Sequence, residues 1–423
     1  MIYKKSYILL VLVLVFLMSP NILAAGNTAS LPTIYGKAAI TVDVATGEVI
    51  YAKNVDKQMY PASTTKLMTA LLLAENNKKT DKIKYTKSAK VQPADSLNVN
   101  FHPIGLDETL SSTDVMDGLL LYSANDLAYM IADNVSGNSL NFMKMMNAKA
   151  AKLNMTKTHF VTPNGLHDAN HYTTPYDMSL LARAAFSNRW VKESMGKKQN
   201  TISTSKGTTF KLENTNKLLG IDGCIGGKTG FTSQAGRCLV AFYVRNGREV
   251  MGVVMGSTVD AKDTNVFNDM KTIINYSYNL QPTLLHATNS VIKTQTLKYK
   301  PLGFFGPEKT VNVPIVVKEN VNYYNNEINK KDLKENINLT SSPISAPNKS
   351  IGTLTLNEKG TVKTYKLYST VSSGTLAKGN MTIYLIAAGT FILFLLGLAL
   401  IITTINSNNN KKRRRKRRTS FRG

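Results

Sequence analysis

Cysteine, histidine and tryptophan are scarce in this chain: two, five and one among 423 residues. Two cysteines, Cys224 and Cys238, cannot build a disulfide scaffold, so the fold must rest on an apolar core, for which the chain is long enough. Both read as small buried packing residues, with a bridge between them as the alternative, since they flank Lys228-Thr229-Gly230 on neighbouring expected strands. No Cys or His spacing suits a metal, and no metal or other cofactor is expected. His102, His159, His167, His171 and His286 show no partnering of the kind a His-based triad needs, and read as surface or loop residues. Trp190 reads as packing. Acidic residues are few as well, 27 against 52 basic ones, which gives a formal net charge of +25. No internal repeat is visible.

Part of that charge belongs to the ends. Lys4 and Lys5 precede an apolar run from Ile8 to Met18, with small residues at Ala24 and Ala25. This reads as an export signal over residues 1–25, removed on maturation and too short to serve as a span. Near the other end, Ile383 to Ile402 carries no charge, enough for a transmembrane helix over residues 383–403. The block from Lys411 to Arg418 follows, inside a basic tail of residues 404–423. Beside a span, such a block reads as a signal for the cytoplasmic side, not as a nucleic-acid patch, and it can hold anionic lipid. The expected location is a single-pass cell-membrane protein with its bulk outside. Setting aside the nine cations of the tail and two of the leader leaves +14, a charge drawn to an anionic envelope.

Between the ends, two stretches have the texture of strands. Ala38 to Val44 and Glu48 to Ala52 form a hairpin pattern around Gly47. Cys238 to Arg245 and Glu249 to Gly256 form another around Asn246-Gly247, with Cys224 to Thr232 as a third strand ahead of them. The sequence between is helical in pattern, over residues 62–75, 113–134 (broken near Ser123), 139–153 and 175–186. A further helix over 262–279 packs back on the sheet. The expected fold is α+β: an antiparallel sheet flanked by helices, with an inserted helical lobe, over residues 30–280. Short alternating runs over residues 288–373 read as a small β-sandwich-like domain.

Three motifs lie in order: Ser63-Thr64-Thr65-Lys66, Ser123-Ala124-Asn125 and Lys228-Thr229-Gly230, with gaps of 60 and 105 residues. Ser63 and Lys66 stand three apart at a helix start, so their side chains share a face. A serine hydroxyl needs a neighbour to take its proton, and a lysine does so only when burial or a second cation lowers its pKa. Lys228 is a candidate for that cation. Ser123 can relay a proton, and Asn125 can orient Lys66 and hold a substrate amide. Lys228, Thr229 and Gly230, behind Gly226-Gly227, offer a cation, a hydroxyl and an open strand edge to a peptide carboxylate. The backbone N–H groups of Ser63 and Phe231 are candidates for an oxyanion hole.

This set resembles the penicillin-recognising serine enzymes, in particular the D-alanyl-D-alanine carboxypeptidases, which are low-molecular-mass penicillin-binding proteins. Pro61-Ala62-Ser63, Asn164-Gly165-Leu166, Tyr172-Thr173-Thr174, Asp177-Met178 and Ala235-Gly236 extend the resemblance. It implies that Ser63 attacks the bond between two terminal D-alanines of a peptidoglycan stem peptide and that water frees the acyl-enzyme. It also implies covalent inhibition by β-lactams. Ser63, Lys66 and Ser123 are then the catalytic candidates, with Asn125, Lys228, Thr229, Gly230 and Phe231 binding substrate. Class A β-lactamases share the motif gaps but need a glutamate after the second motif, and this chain has none between Glu108 and Glu193. Phe231 stands where relatives often have His or Thr. Ser257 to Asp263 offers only Lys262 where relatives often place an arginine. A slow peptidoglycan-binding or β-lactam-sensing protein and a D,D-endopeptidase are the alternatives.

Overall fold

The computed structural model describes residues 30–344 and 348–419, with side chains to Arg414. The expected export signal lies outside the described residues. The chain divides into two compact units. Of the described residues, the first holds those up to Thr283, together with Tyr323–Leu333 and Glu358–Thr361; the second holds those in Leu284–Asn322, in Lys334–Asn357 and from Val362 onward.

The first unit is built on five strands. β1 (Ala38–Asp43) and β2 (Val49–Lys53) form the early hairpin. Helices α1 (Lys66–Asn76), α2 (Asn125–Ser136), α3 (Ser139–Lys152) and α4 (Pro175–Ser187) make up the lobe. β3 (Cys224–Thr232), β4 (Gly236–Arg245) and β5 (Arg248–Ser257) return to the sheet, and α5 (Asn265–Asn279) follows. The sheet runs β2-β1-β5-β4-β3, antiparallel throughout, with β3 at one edge. The β4–β5 turn has Asn246 at φ 51° and Gly247 at φ 77°, the two positive angles of a tight turn whose twist matches its strands.

Alternation along the strands supplies two cores, one on each sheet face. Ile40, Val240, Phe242 and Val253 join the core of the lobe, where Phe186 stacks on Phe242 at 4.1 Å. Ala39, Leu239, Ala241 and Val254 join the core under α5. That helix buries Val266, Phe267, Met270, Ile273 and Ile274, a spacing that keeps one face on the sheet. Helix starts follow capping chemistry: Thr174 accepts from Asp177 N, with Pro175 in the first turn, and Asn138 accepts from Asn141 N.

The expected α+β architecture is present, with differences in detail. The helix expected over 62–75 opens with a 3-10 turn at Ala62–Thr65. The segment expected over 113–134 breaks into a helix at Ser112–Asp117, a π-turn at Gly118–Tyr122 and α2. Ser123 between them takes left-handed angles, φ 75° and ψ 30°. The ladder of Lys82–Lys84 with Thr109–Ser111 and that of Gln199–Ser203 with Thr209–Glu213 were not expected. Strands of three to five polar-rich residues carry too few alternating positions to register.

The second unit is built on another five-stranded sheet. Its strands are β6 (Val291–Tyr299), β7 (Lys309–Val317), β8 (Lys334–Leu339), β9 (Ser350–Glu358) and β10 (Thr361–Ser369), in the order β6-β7-β10-β9-β8. Val313, Ile315, Ile351, Leu354, Leu356 and Leu367 are buried. The chain ends in α6 (Met381–Thr419), whose stretch Met381–Arg414 is long and apolar enough to cross a membrane.

Candidate active site

Ser63 sits in the 3-10 turn ahead of α1, held by Thr64, whose hydroxyl and N–H both donate to the Pro61 carbonyl at 2.6 and 3.2 Å. Ala62 beside it has φ 47°, a strained angle for a residue with a Cβ. Lys66, the first residue of α1, is fully buried. Its Nζ lies 2.8 Å from Ser63 Oγ, 2.9 Å from Asn125 Oδ1 and 2.9 Å from the Asn164 carbonyl. Burial holds its pKa well below the usual lysine value, and the Lys228 charge lowers it further, against Asp95 and Asp126, which raise it.

The three partners decide what this amine can do. Asn125 Oδ1 and the Asn164 carbonyl only accept hydrogen bonds. A neutral Lys66 therefore donates its two hydrogens to them and turns its lone pair to Ser63, the one partner with a proton to give. Asn125 is itself fixed, its Nδ2 donating to the Ala94 carbonyl at 2.9 Å and its N–H to that of Asp95 at 2.7 Å.

The Asn164 carbonyl comes from a loop that fits against the Ala62–Thr65 turn without a side chain between. Gly165 has φ +84°, and a Cβ there would stand 1.9 Å from the Ala62 oxygen. Behind it lies His171, which is buried, whereas the sequence suggested a surface or loop residue. Its Nδ1 accepts from the N–H groups of Val161 and Thr162 at 3.0 and 3.1 Å. Nε2 consequently carries the proton and donates to Thr65 Oγ1 at 2.9 Å. One imidazole thus joins the Asn164 loop to the turn that carries Ser63. Burial pulls its pKa down to about 4.

β3 supplies the other wall. A Cβ on Gly230 would lie 2.9 Å from Ser63 N, so the bare backbone lets the strand approach the turn. Lys228 is buried, donates to the Thr229 carbonyl at 3.0 Å, and has its pKa pushed down to about 7 by burial. The Thr229 and Thr215 hydroxyls meet at 2.6 Å. Ser123 is half-buried and its hydroxyl makes no hydrogen bond to Lys66 or Lys228 among the described residues. Cys224 and Cys238 are free, buried thiols, and burial pushes Cys238 up to about 11.

Sequence reasoning missed a cluster beside Thr229. A cavity of about 280 Å³ is lined by Thr215, Lys217, Thr229, Arg237, Asp263 and Phe267 among others. Arg237 forms a two-pronged pair with Asp263, Nε to Oδ1 at 2.7 Å and Nη2 to Oδ2 at 2.6 Å. Its guanidinium lies 4.6 Å from the ring centre of Phe231. A cation thus stands beside Thr229 on β4, seven residues past Gly230. The Ala235-Gly236 pair before it was the only nearby signal.

A family model described as D-alanyl-D-alanine carboxypeptidase matches residues 25–259. The chain is 29% identical over 333 residues to D-alanyl-D-alanine carboxypeptidase DacF of Bacillus subtilis, covering 77% of this chain and 82% of that one. It is 30% identical over 365 residues to the carboxypeptidase DacC of Escherichia coli, covering 82% and 86%. Among solved structures it is similar to a D-alanyl-D-alanine carboxypeptidase of Mycobacterium tuberculosis, with TM-score 0.56, 25% identity and coverage of 61% and 96%. It is likewise similar to penicillin-binding protein D2 of Listeria monocytogenes in an ampicillin-bound form, with TM-score 0.51, 32% identity and coverage of 59% and 99%.

Proposed function

The chain belongs to the D-alanyl-D-alanine carboxypeptidase family, and from that membership we propose a residue-level route by which this serine peptidase removes the terminal D-alanine of peptidoglycan stem peptides. The observation that carries the route is the three-partner setting of Lys66, which leaves its lone pair to Ser63.

In acylation, Lys66 Nζ takes the Ser63 proton as Oγ bonds to the carbonyl carbon between the two D-alanines. The charge that develops on the carbonyl oxygen falls to the backbone N–H groups of Ser63 and Phe231. The tetrahedral adduct collapses with cleavage of the C–N bond, and the leaving amine receives a proton from Lys66 through the Ser123 hydroxyl. D-Alanine departs, water attacks the ester with Lys66 again as base, and Ser63 is restored. The strand edge of β3 from Lys228 to Phe231 pairs with the extended peptide, and Thr229 meets its carboxylate. Arg237 and Lys217 add positive charge on the cavity side. A β-lactam acylates Ser63 by the same attack, but the amine freed when its ring C–N bond breaks stays tethered to the acyl group and blocks water.

The α6 helix serves as a single-pass anchor over residues 383–403, with both folded units on the extracytoplasmic side and the basic tail of residues 404–423 in the cytoplasm. Support comes from its length, its apolar surface and the cations directly after it. Residues 1–25 act as a removed leader, residues 30–280 as the catalytic domain and residues 288–373 as the β domain.

The test is product analysis of a stem pentapeptide ending in D-Ala-D-Ala with the membrane-reconstituted protein. Release of one D-alanine is expected; an intact pentapeptide with Ser63 still acylated by penicillin would favour a β-lactam sensor.

A further inference from the structure

The second unit carries an exposed apolar feature that peptide hydrolysis does not use. The connection from β6 to β7 reads Lys300-Pro301-Leu302-Gly303-Phe304-Phe305-Gly306-Pro307-Glu308, and Phe304 and Phe305 are 93% and 76% exposed. The loop is formed without them. Gly303 and Gly306 take φ 70° and 91°, Gly303 N donates to the Lys300 carbonyl at 3.0 Å, and Leu302 is bridged to Phe305. Two adjacent aromatic rings held outward on a built turn place a large apolar area in water, a state that calls for a covering partner.

The base of the same loop identifies that partner. Tyr299 and Lys309 are the pair that closes the hairpin. Both hold Asn380, which is buried: its Nδ2 donates to the Tyr299 hydroxyl at 2.9 Å, and Lys309 Nζ donates to its Oδ1 at 2.9 Å. Asn380 is the residue directly before α6. The hairpin is thus clamped to the point where the apolar helix begins. From that clamp to Phe304 is five residues of chain, at most about 17 Å. The polar layer on each side of a hydrocarbon core is roughly 5–8 Å deep. The phenylalanines therefore lie within reach of the surface into which α6 enters. Lys298 and Lys300 precede them in the chain and Lys309 follows; Lys300 is exposed, and the one acid of the loop, Glu308, is paired with Lys298 at 3.1 Å. Exposed aromatic rings with an exposed lysine close by in the chain match acyl boundary and anionic headgroups together.

We propose that the Phe304–Phe305 loop is a second membrane contact, seated in the interfacial layer of the leaflet that α6 enters, with Lys300 on anionic headgroups. The inference rests on the reading of α6 as a span. One helix leaves the sheet unit free to swivel and tilt; a second contact beside it fixes which edge of that unit faces the bilayer.

The test uses the full chain in vesicles of phosphatidylcholine and phosphatidylglycerol, with Phe304→Trp and Leu393→Trp made separately. Trp190, buried in the first unit, gives the background signal of the parent. Phe304→Trp is expected to emit at shorter wavelength in vesicles and to be quenched by lipid brominated near the glycerol end of its chains. Leu393→Trp is expected to be quenched best by lipid brominated deep in its chains. Bromine quenching at residue 393, with residue 304 reached only by aqueous acrylamide, overturns the loop contact and leaves the span standing. Absence of bromine quenching at both positions overturns the span, and the loop contact with it.

Discussion

Lys66 Nζ lies 2.8 Å from Ser63 Oγ, and of its three partners only Ser63 has a proton to give. The acceptors Asn125 Oδ1 and Asn164 O do more than place the amine, since they choose which of its faces meets the serine. A base in this position works only when neutral, so the charge environment sets the pH at which the site switches on.

Lys228 is the first charged neighbour that lowers Lys66. Its removal makes the protonated form of Lys66 easier to keep, so the folded-state pKa of Lys66 rises. Lys228→Met is expected to move the acid limb of the penicillin acylation rate to higher pH, besides weakening substrate binding. Labelling rates with a fluorescent penicillin across pH would show it; an unmoved limb would mean that the two amines do not communicate.

His171 makes stability depend on pH. Its folded pKa, about 4, lies below the ordinary 6.5, so the unfolded chain binds the proton more readily. The sign follows: stability from this group is complete above pH 6.5 and is lost as pH falls toward 4. The loss is about 3 kcal/mol across that window. Urea melts at successive pH values should show the decline in the parent and a shallower one in His171→Gln. Equal slopes would contradict a buried neutral imidazole.

Gly165→Ala sets a Cβ against the Ala62 carbonyl at a left-handed angle. Neither the φ of +84° nor the 1.9 Å approach can be relieved by a rotamer change. The expected cost is about 2–4 kcal/mol in stability. Acylation should fall further than stability, because the displaced loop carries the Asn164 oxygen. A thermal melt and a penicillin-labelling rate on one preparation separate the two effects.

Asp263 holds the Arg237 guanidinium beside Thr229. Arg237→Ala is expected to raise KM for a D-Ala-D-Ala peptide about tenfold or more, with kcat nearly kept, the size of a lost charged hydrogen bond. Asp263→Asn frees the guanidinium for the substrate carboxylate and should lower KM. Unchanged KM in both would mean that carboxylate binding rests on Lys228 and Thr229.

Features with local signatures were legible in the sequence, and features made by long-range backbone geometry were not. Asn246-Gly247 gives its turn away because only certain residues accept two positive φ angles. The serine, lysine and Lys-Thr-Gly positions gave themselves away by order and spacing. The Asn164 carbonyl could not be read as a ligand of Lys66, since any residue has a carbonyl and only the fold aims it. His171 looked like a loop residue because its ring partners are backbone N–H groups and threonine hydroxyls, none of which leaves a motif. Arg237 and Asp263 lie 26 residues apart on a strand and a loop, joined only once β4 is beside β5, where Arg237 stands opposite Ser257.

The most direct measurement is the mass of the peptide containing Ser63 after the protein meets benzylpenicillin. The account predicts one penicilloyl adduct on Ser63 in the parent and none in Ser63→Ala. In Lys66→Met it predicts an adduct that forms at least about a hundredfold more slowly. An adduct on another residue, or a parent rate retained without Lys66, would contradict it.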